Sequence, residues 1–130
     1  MQPATYSVVA YPERDLVRIT LAGFFDERAI AGFLQARREA HARLRCAPNR
    51  HLTLTDTRGI SIQAQEMVAR WGAVLADPAY RSRRLAFITA STLARIQLGR
   101  AIGSRDAQVF TDPAEAEAWL FAADEAERAA

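Results

Sequence analysis

HLTLTDTRGI, residues 51–60, lies between two stretches of helical periodicity. HLTLT reads as a short strand with Leu52 and Leu54 alternating, and DTRG as the loop after it. A short strand between helices commits the chain to strand–helix–strand units. Their strands run parallel, joined by right-handed crossovers.

Upstream, Asp26 can cap the free N–H groups of a helix's first turn. Phe25 before it and Ile30 after it have the spacing of a hydrophobic staple. Ile30, Phe33, Leu34, Arg37, His41 and Leu44 then fall on one face at helical spacing, and Pro48 and Asn49 stop the helix. Earlier still, YSVVA (residues 6–10) and LVRITL (16–21) are strand-like and flank the turn cluster YPERD. Two strands joined by a short polar loop predict an antiparallel hairpin.

Downstream, Met67, Val68, Trp71, Val74 and Leu75 form a helical stripe that Ile60 and Ala64 extend backwards, and Asp77-Pro78 ends it. RLAFITA (84–90) is a strand whose core is continuously apolar. That is the pattern of a strand covered on both faces, or of a central strand with helices on one side. Ser91 or Thr92 caps a third helix over 92–102, and AQVF (107–110) is a last short strand. Pro113 suits the first position of a fourth helix, with Asp112 and Glu115 at capping-box spacing and Ala116, Trp119 and Leu120 facing the core. The tail over 124–130 is expected to fray. The order is β-β-α-β-α-β-α-β-α: an α/β domain over residues 1–123 with a mixed sheet and helices packed against it.

The 130 residues fit one domain, and the net charge is only +2, although all 17 basic residues are arginine. The single Cys46 rules out an intrachain disulfide. Its neighbours Arg43 and Arg45 would lower its pKa, but an idle thiol at a helix end is the simpler reading. No apolar run reaches the ~18 residues of a membrane span and no charged-then-apolar leader opens the chain, so a cytoplasmic protein is expected, without stable membrane insertion.

Reactive groups are few. His41 and His51 share no ligand-like spacing with acids or Cys46, so neither a metal site nor a cofactor is expected. His41 is read as half-buried in the core and His51 as exposed. Ser91, where a strand meets a helix, lacks the flanking glycines of a nucleophile elbow, and capping explains it. No catalytic residue can be named, so no enzyme activity is expected. Arg81, Arg83, Arg84 and Arg95 are the candidate anion patch. With so small a charge and no helix-turn-helix pair, nucleic acid is not an expected partner.

The order of elements resembles the STAS domain, the fold of the SpoIIAA anti-sigma-factor antagonists, and within it the SpoIIAA-like, STAS/SEC14-like family of small bacterial proteins. LVRITLAG, HLTLTDTRGI, RLAFITASTLARIQLGR and QVFTDPAEAEAWL carry the resemblance over residues 6–121. In phosphorylatable antagonists the stretch after the third strand reads approximately D-L-S-G-V-x-F-x-D-S, its final Ser being the phosphate acceptor. Here Asp56, Gly59, Ile60 and Ile62 match in type, but Ala64-Gln65 stands in place of Asp-Ser, and neither accepts a phosphoryl group.

The resemblance implies a non-enzymatic regulatory or ligand-binding domain of bacterial signalling that works by contact with a protein partner, a homodimer being one arrangement. Its partner face would hold Asp56, Thr57, Arg58, Gly59 and Ser61. The SEC14-like label implies an alternative: a carrier or sensor of a lipid or other apolar small molecule. Its pocket, between helices and sheet, would be lined by Phe24, Phe25, Met67 and Trp71.

Overall fold

The computed structural model describes residues 2–61, 63–93, 95–96 and 106–129. Five strands form one sheet in sequence order: β1 (Thr5–Tyr11), β2 (Leu16–Gly23), β3 (Leu52–Ile60), β4 (Arg84–Ile88) and β5 (Ala107–Phe110). β1 and β2 are the expected antiparallel hairpin, in register from Thr5 opposite Ala22 to Tyr11 opposite Leu16. A single 3-10 turn, Pro12–Arg14, closes it, with Asp15 in the left-handed region. The pairs β2–β3, β3–β4 and β4–β5 are parallel.

Among the described residues there are three α-helices: α1 (Glu27–His41), α2 (Gln65–Ala76) and α3 (Pro113–Ala129). The third helix of the sequence reading, over 92–102, falls largely outside the described residues. Asp26 caps α1 as expected, its Oδ1 accepting from Ala29 N at 2.8 Å. Phe25 and Ile30 share one fully buried cluster, which is the staple. Asp112 Oδ1 accepts from Ala114 N at 3.0 Å at the start of α3. That helix runs on to Ala129, through the tail expected to fray.

The crossovers β2–α1–β3 and β3–α2–β4 step the same way across the sheet, so one handedness puts α1 and α2 on one face. Val17, Ile19 and Leu21 of β2 meet Phe25, Ile30, Phe33, Met67 and Val74 there. The alternate residues Leu16, Leu52, Leu54, Ala86 and Ile88 point the other way, onto Ala116 and Leu120 of α3. All five residues of β4 are buried, so its continuous apolar run is that of a strand covered on both faces. Side chains as buried as Val17, Phe25, Ile30, Leu52, Leu54 and Leu120 each contribute roughly 1.5–3 kcal/mol. No helix among the described residues is long and apolar enough to cross a membrane.

Two of the boundaries that differ from the sequence reading bear on the site. β3 does not stop at Thr55: Asp56 pairs with Thr20, and past a register shift between Thr20 and Ala22 the strand pairs again, Gly59 beside Ala22 and Ile60 beside Gly23. A Cβ at Gly59 would stand 3.0 Å from that of Ala22, so the pairing depends on this residue's small size. α1 ends at His41 rather than reaching Leu44, although Leu44 still packs against the core.

Candidate functional site

A cavity of about 460 Å³ lies between the sheet and the α1/α2 layer. Its floor is unusual for this position. β3 reads Leu-Thr-Leu-Thr-Asp-Thr from Leu52, and the period of two that sends the leucines to α3 sends Thr53, Thr55 and Thr57 into the cavity. Thr53 and Thr55 are 6% and 5% exposed. Among the described residues neither hydroxyl has a side-chain hydrogen bond, whereas Thr57 Oγ1 donates to Ile88 O at 2.8 Å. The roof is apolar, from Phe33, Trp71, Val74 and Leu75.

One end of the cavity is polar. α1 runs back along the sheet, so its last turn lies over the start of β3, beside the end of α2. Arg37 is buried there, its side chain 9% exposed. Nη1 donates to Val74 O and Nη2 to Asp77 Oδ2, both at 3.3 Å, and the guanidinium stacks 4.0 Å over the Tyr80 ring. Among the described residues Nε has no acceptor, and neither has the indole Nε1 of Trp71. Burial pushes the Arg37 guanidinium below its ordinary value, against the opposing pull of Asp77. His41 stands on the Tyr80 ring at 82° and its Nδ1 hydrogen-bonds Arg37 O at 2.8 Å. Burial lowers the His41 pKa.

Of the residues expected to line an apolar pocket, only Trp71 does so. Phe25 and Met67 are core: Phe25 is fully buried, its ring 5.1 Å from that of Trp71, and Met67 is 8% exposed. Phe24 instead borders a second, more polar hollow with Gln2, Asp26 and Arg28. The staple explains the shift, since it turns Phe25 inward and the next-door side chain outward.

Asp56, Thr57, Arg58 and Gly59 lie on the end of β3, on strand rather than loop, and Ser61 follows it before α2. Asp56 accepts from Arg58 N at 3.0 Å and also from the Arg58 guanidinium, at 2.7 Å to Nη2. That side-chain pairing holds the Asp56 carboxyl below the usual range. Beside it Arg18 pairs with Glu117. Ser61 N donates to Gly23 O at 3.0 Å. Ala64 precedes α2 without a side-chain cap.

Arg81, Arg83, Arg84 and Arg95 are not brought together. Arg84 is 7% exposed inside β4, Arg83 Nε donates to Arg50 O at 2.7 Å, and Arg81 is exposed before the strand. Arg95 lies beyond the strand's other end, so β4 itself separates it from the rest. His51, expected to be exposed, is 3% exposed, because the last turn of α1 covers it. Cys46 does not become acidic: burial, then Asp15, push its thiol up. No group of three or more metal-ligating side chains gathers among the described residues.

No family model and no curated protein matches the chain. Solved structures do. A protein of the DUF3478 family with a SpoIIAA-like fold from Shewanella loihica PV-4 superposes with a TM-score of 0.72 at 12% identity, over 92% of this chain and 97% of that one. An anti-sigma factor antagonist from Mycobacterium paratuberculosis superposes with a TM-score of 0.53 at 11% identity, over 91% and 94%. With the hairpin, the parallel crossovers and the helix on the opposite face already in place, these likenesses identify the architecture: the chain has a SpoIIAA-like fold.

Proposed function

We propose that the chain is a non-catalytic regulatory domain that acts by contact with a protein partner, through the end of β3 and the start of α2. One observation carries this reading: the end of β3 from Asp56 to Gly59 stays partly exposed, with the Asp56–Arg58 ion pair on one face, and Ser61 follows it ahead of α2. The likeness to an anti-sigma factor antagonist lends it support. Ala64 and Gln65 offer no hydroxyl, so a phosphate at the antagonists' acceptor position is not the signal here.

The test is capture under native conditions, followed by reconstitution with the purified, identified partner. Arg58→Gln should weaken capture while moving the unfolding midpoint little, since the pair it loses with Asp56 is exposed on the Arg58 side. Undiminished capture would show that this surface is not the contact.

The cavity favours a second reading, in which the domain carries or senses an apolar small molecule between helices and sheet. Its volume lies within the ~300–1,000 Å³ range of small-molecule pockets. Native mass spectrometry of protein purified from cells should find a bound mass. The bare chain alone would count against it.

A further inference from the structure

We propose that the cavity takes a slender apolar molecule ending in one carboxylate, its head at Arg37 and its body over the threonine floor. The proposal rests on the small-molecule reading above and names the ligand's chemical class.

Size comes first. A cavity of about 150 Å³ is known to hold benzene, so one of about 460 Å³ corresponds to roughly fifteen to twenty heavy atoms. Shape follows from the floor. Thr53 to Thr57 is four steps along β3, about 13 Å at ~3.3 Å per residue. A single chain or a narrow ring system fits that length, and Phe33, Val74, Leu75 and Phe87 give its body apolar contacts.

The polar end is set by what the side chains there lack. A guanidinium has about five N–H donors and no acceptor. Arg37 engages Val74 O and Asp77 through long bonds only, and its Nε has no acceptor. Trp71 lines the cavity farther along, its ring 5.1 Å from that of Phe25 and 5.4 Å from that of Phe33. A guanidinium with an unpaired N–H calls for an acceptor, and an amine would add donors instead. Charge then favours an anion over an ester or a ketone. Asp77 is held at the rim, its side chain 37% exposed and its Oδ1 accepting from Ala79 N, so it compensates the buried cation from one side only. Charge-assisted hydrogen bonds are roughly twice as strong as neutral ones.

The experiment titrates the ¹⁵N-labelled full chain with decanoate, its methyl ester and decylamine, following the two indole N–H signals. Trp71 lines the cavity, whereas Trp119 packs against Phe110 on the other face of the sheet, so it reports adsorption elsewhere. Decanoate should shift Trp71 and leave Trp119 still. The ester should bind about tenfold more weakly or worse, and decylamine should leave both signals still. Arg37→Met should bring decanoate down to the ester's affinity. Should that variant not fold, Asp77→Asn serves: it removes the competing carboxylate, so decanoate should bind more tightly.

Equal binding of acid and ester, a Trp71 shift with decylamine, or an Asp77→Asn variant that binds decanoate no better would overturn the headgroup assignment while the cavity reading stands. If neither acid nor ester moves Trp71, the cavity reading fails and the proposal with it. Joint movement of both indoles would mean surface adsorption and defeat the proposal equally.

Discussion

The imidazoles of His41 and His51 meet with their Nε2 atoms 3.2 Å apart and their rings at 88°, joining the end of α1 to the residue before β3. His41 Nδ1 carries the proton it donates to Arg37 O, so in the neutral pair its Nε2 accepts from Nε2–H of His51. Adding a proton to His41 sets two N–H groups against each other in a buried place.

That arrangement predicts a pH dependence of stability. Burial, followed by the Arg37 charge, holds the folded pKa of His41 below its ordinary value of 6.5 despite the hydrogen bond to Arg37 O. The unfolded chain therefore binds the proton more readily. The His41 contribution is fully present above the unfolded pKa and is lost as pH falls toward the folded one. Urea unfolding should show stability declining as the pH falls through 6.5, the ordinary value of the group. His41→Asn keeps a donor toward Arg37 O and should flatten that decline. A slope unchanged in the variant would assign it to other groups.

How far the sequence foretold this site depends on which contacts are local. The α1 cap and staple, the hairpin and the start of α3 were legible because each is decided within about five residues. The end of β3 was not. Asp56-Thr57-Arg58-Gly59 has turn composition, and only pairing with Ala22 and Gly23, over thirty residues earlier, keeps it extended. The cavity was anticipated as a space but not in its lining. Aromatic residues drew the sequence reading, whereas the staple claims Phe25 for the core. The available signal was the threonine alternation opposite Leu52 and Leu54: on a strand sandwiched between helices, a polar face marks something other than packing. The Arg37–Asp77 pair joins residues forty positions apart and leaves no local trace.

Gly23 ties the β2 end to the proposed partner surface. Its φ of +81° lies in the left-handed region, and an added Cβ would stand 2.2 Å from Pro3 O. Its carbonyl accepts from Ser61 N and Gln63 Nε2. Gly23→Ala should destabilise by at least about 2 kcal/mol, through backbone strain and the clash together. Amide exchange should rise first at Phe24 and Ser61, which donate to Gln2 O and Gly23 O. A loss under about 0.5 kcal/mol would mean that the N-terminal segment simply moves aside.

The start of α2 can be improved. Ala64 holds an extended N-cap conformation but offers no acceptor to the first turn. Ala64→Ser supplies one with little added bulk and should stabilise by about 0.5–1 kcal/mol, read as a higher urea midpoint at constant slope. A lower midpoint would show that the packing of Ala64 against the core outweighs the cap.

Thr55 and Thr57 share the cavity floor but differ in what their hydroxyls do, and the difference separates folding from binding. Thr57 Oγ1 donates to Ile88 O, so Thr57→Val should cost about 1 kcal/mol by leaving β3 and β4 one bond short. Thr55 lacks such a bond among the described residues although it is 5% exposed. Removing a polar group without a protein partner relieves a desolvation cost, so Thr55→Val should be neutral or stabilise by up to about 1 kcal/mol. A threonine that burdens the fold and still faces an open cavity is best explained by what enters that cavity. The Val variant should therefore change decanoate affinity while the unfolding midpoint holds or rises. If Thr55→Val instead costs as much as Thr57→Val, its hydroxyl is structural and the floor says nothing about a ligand.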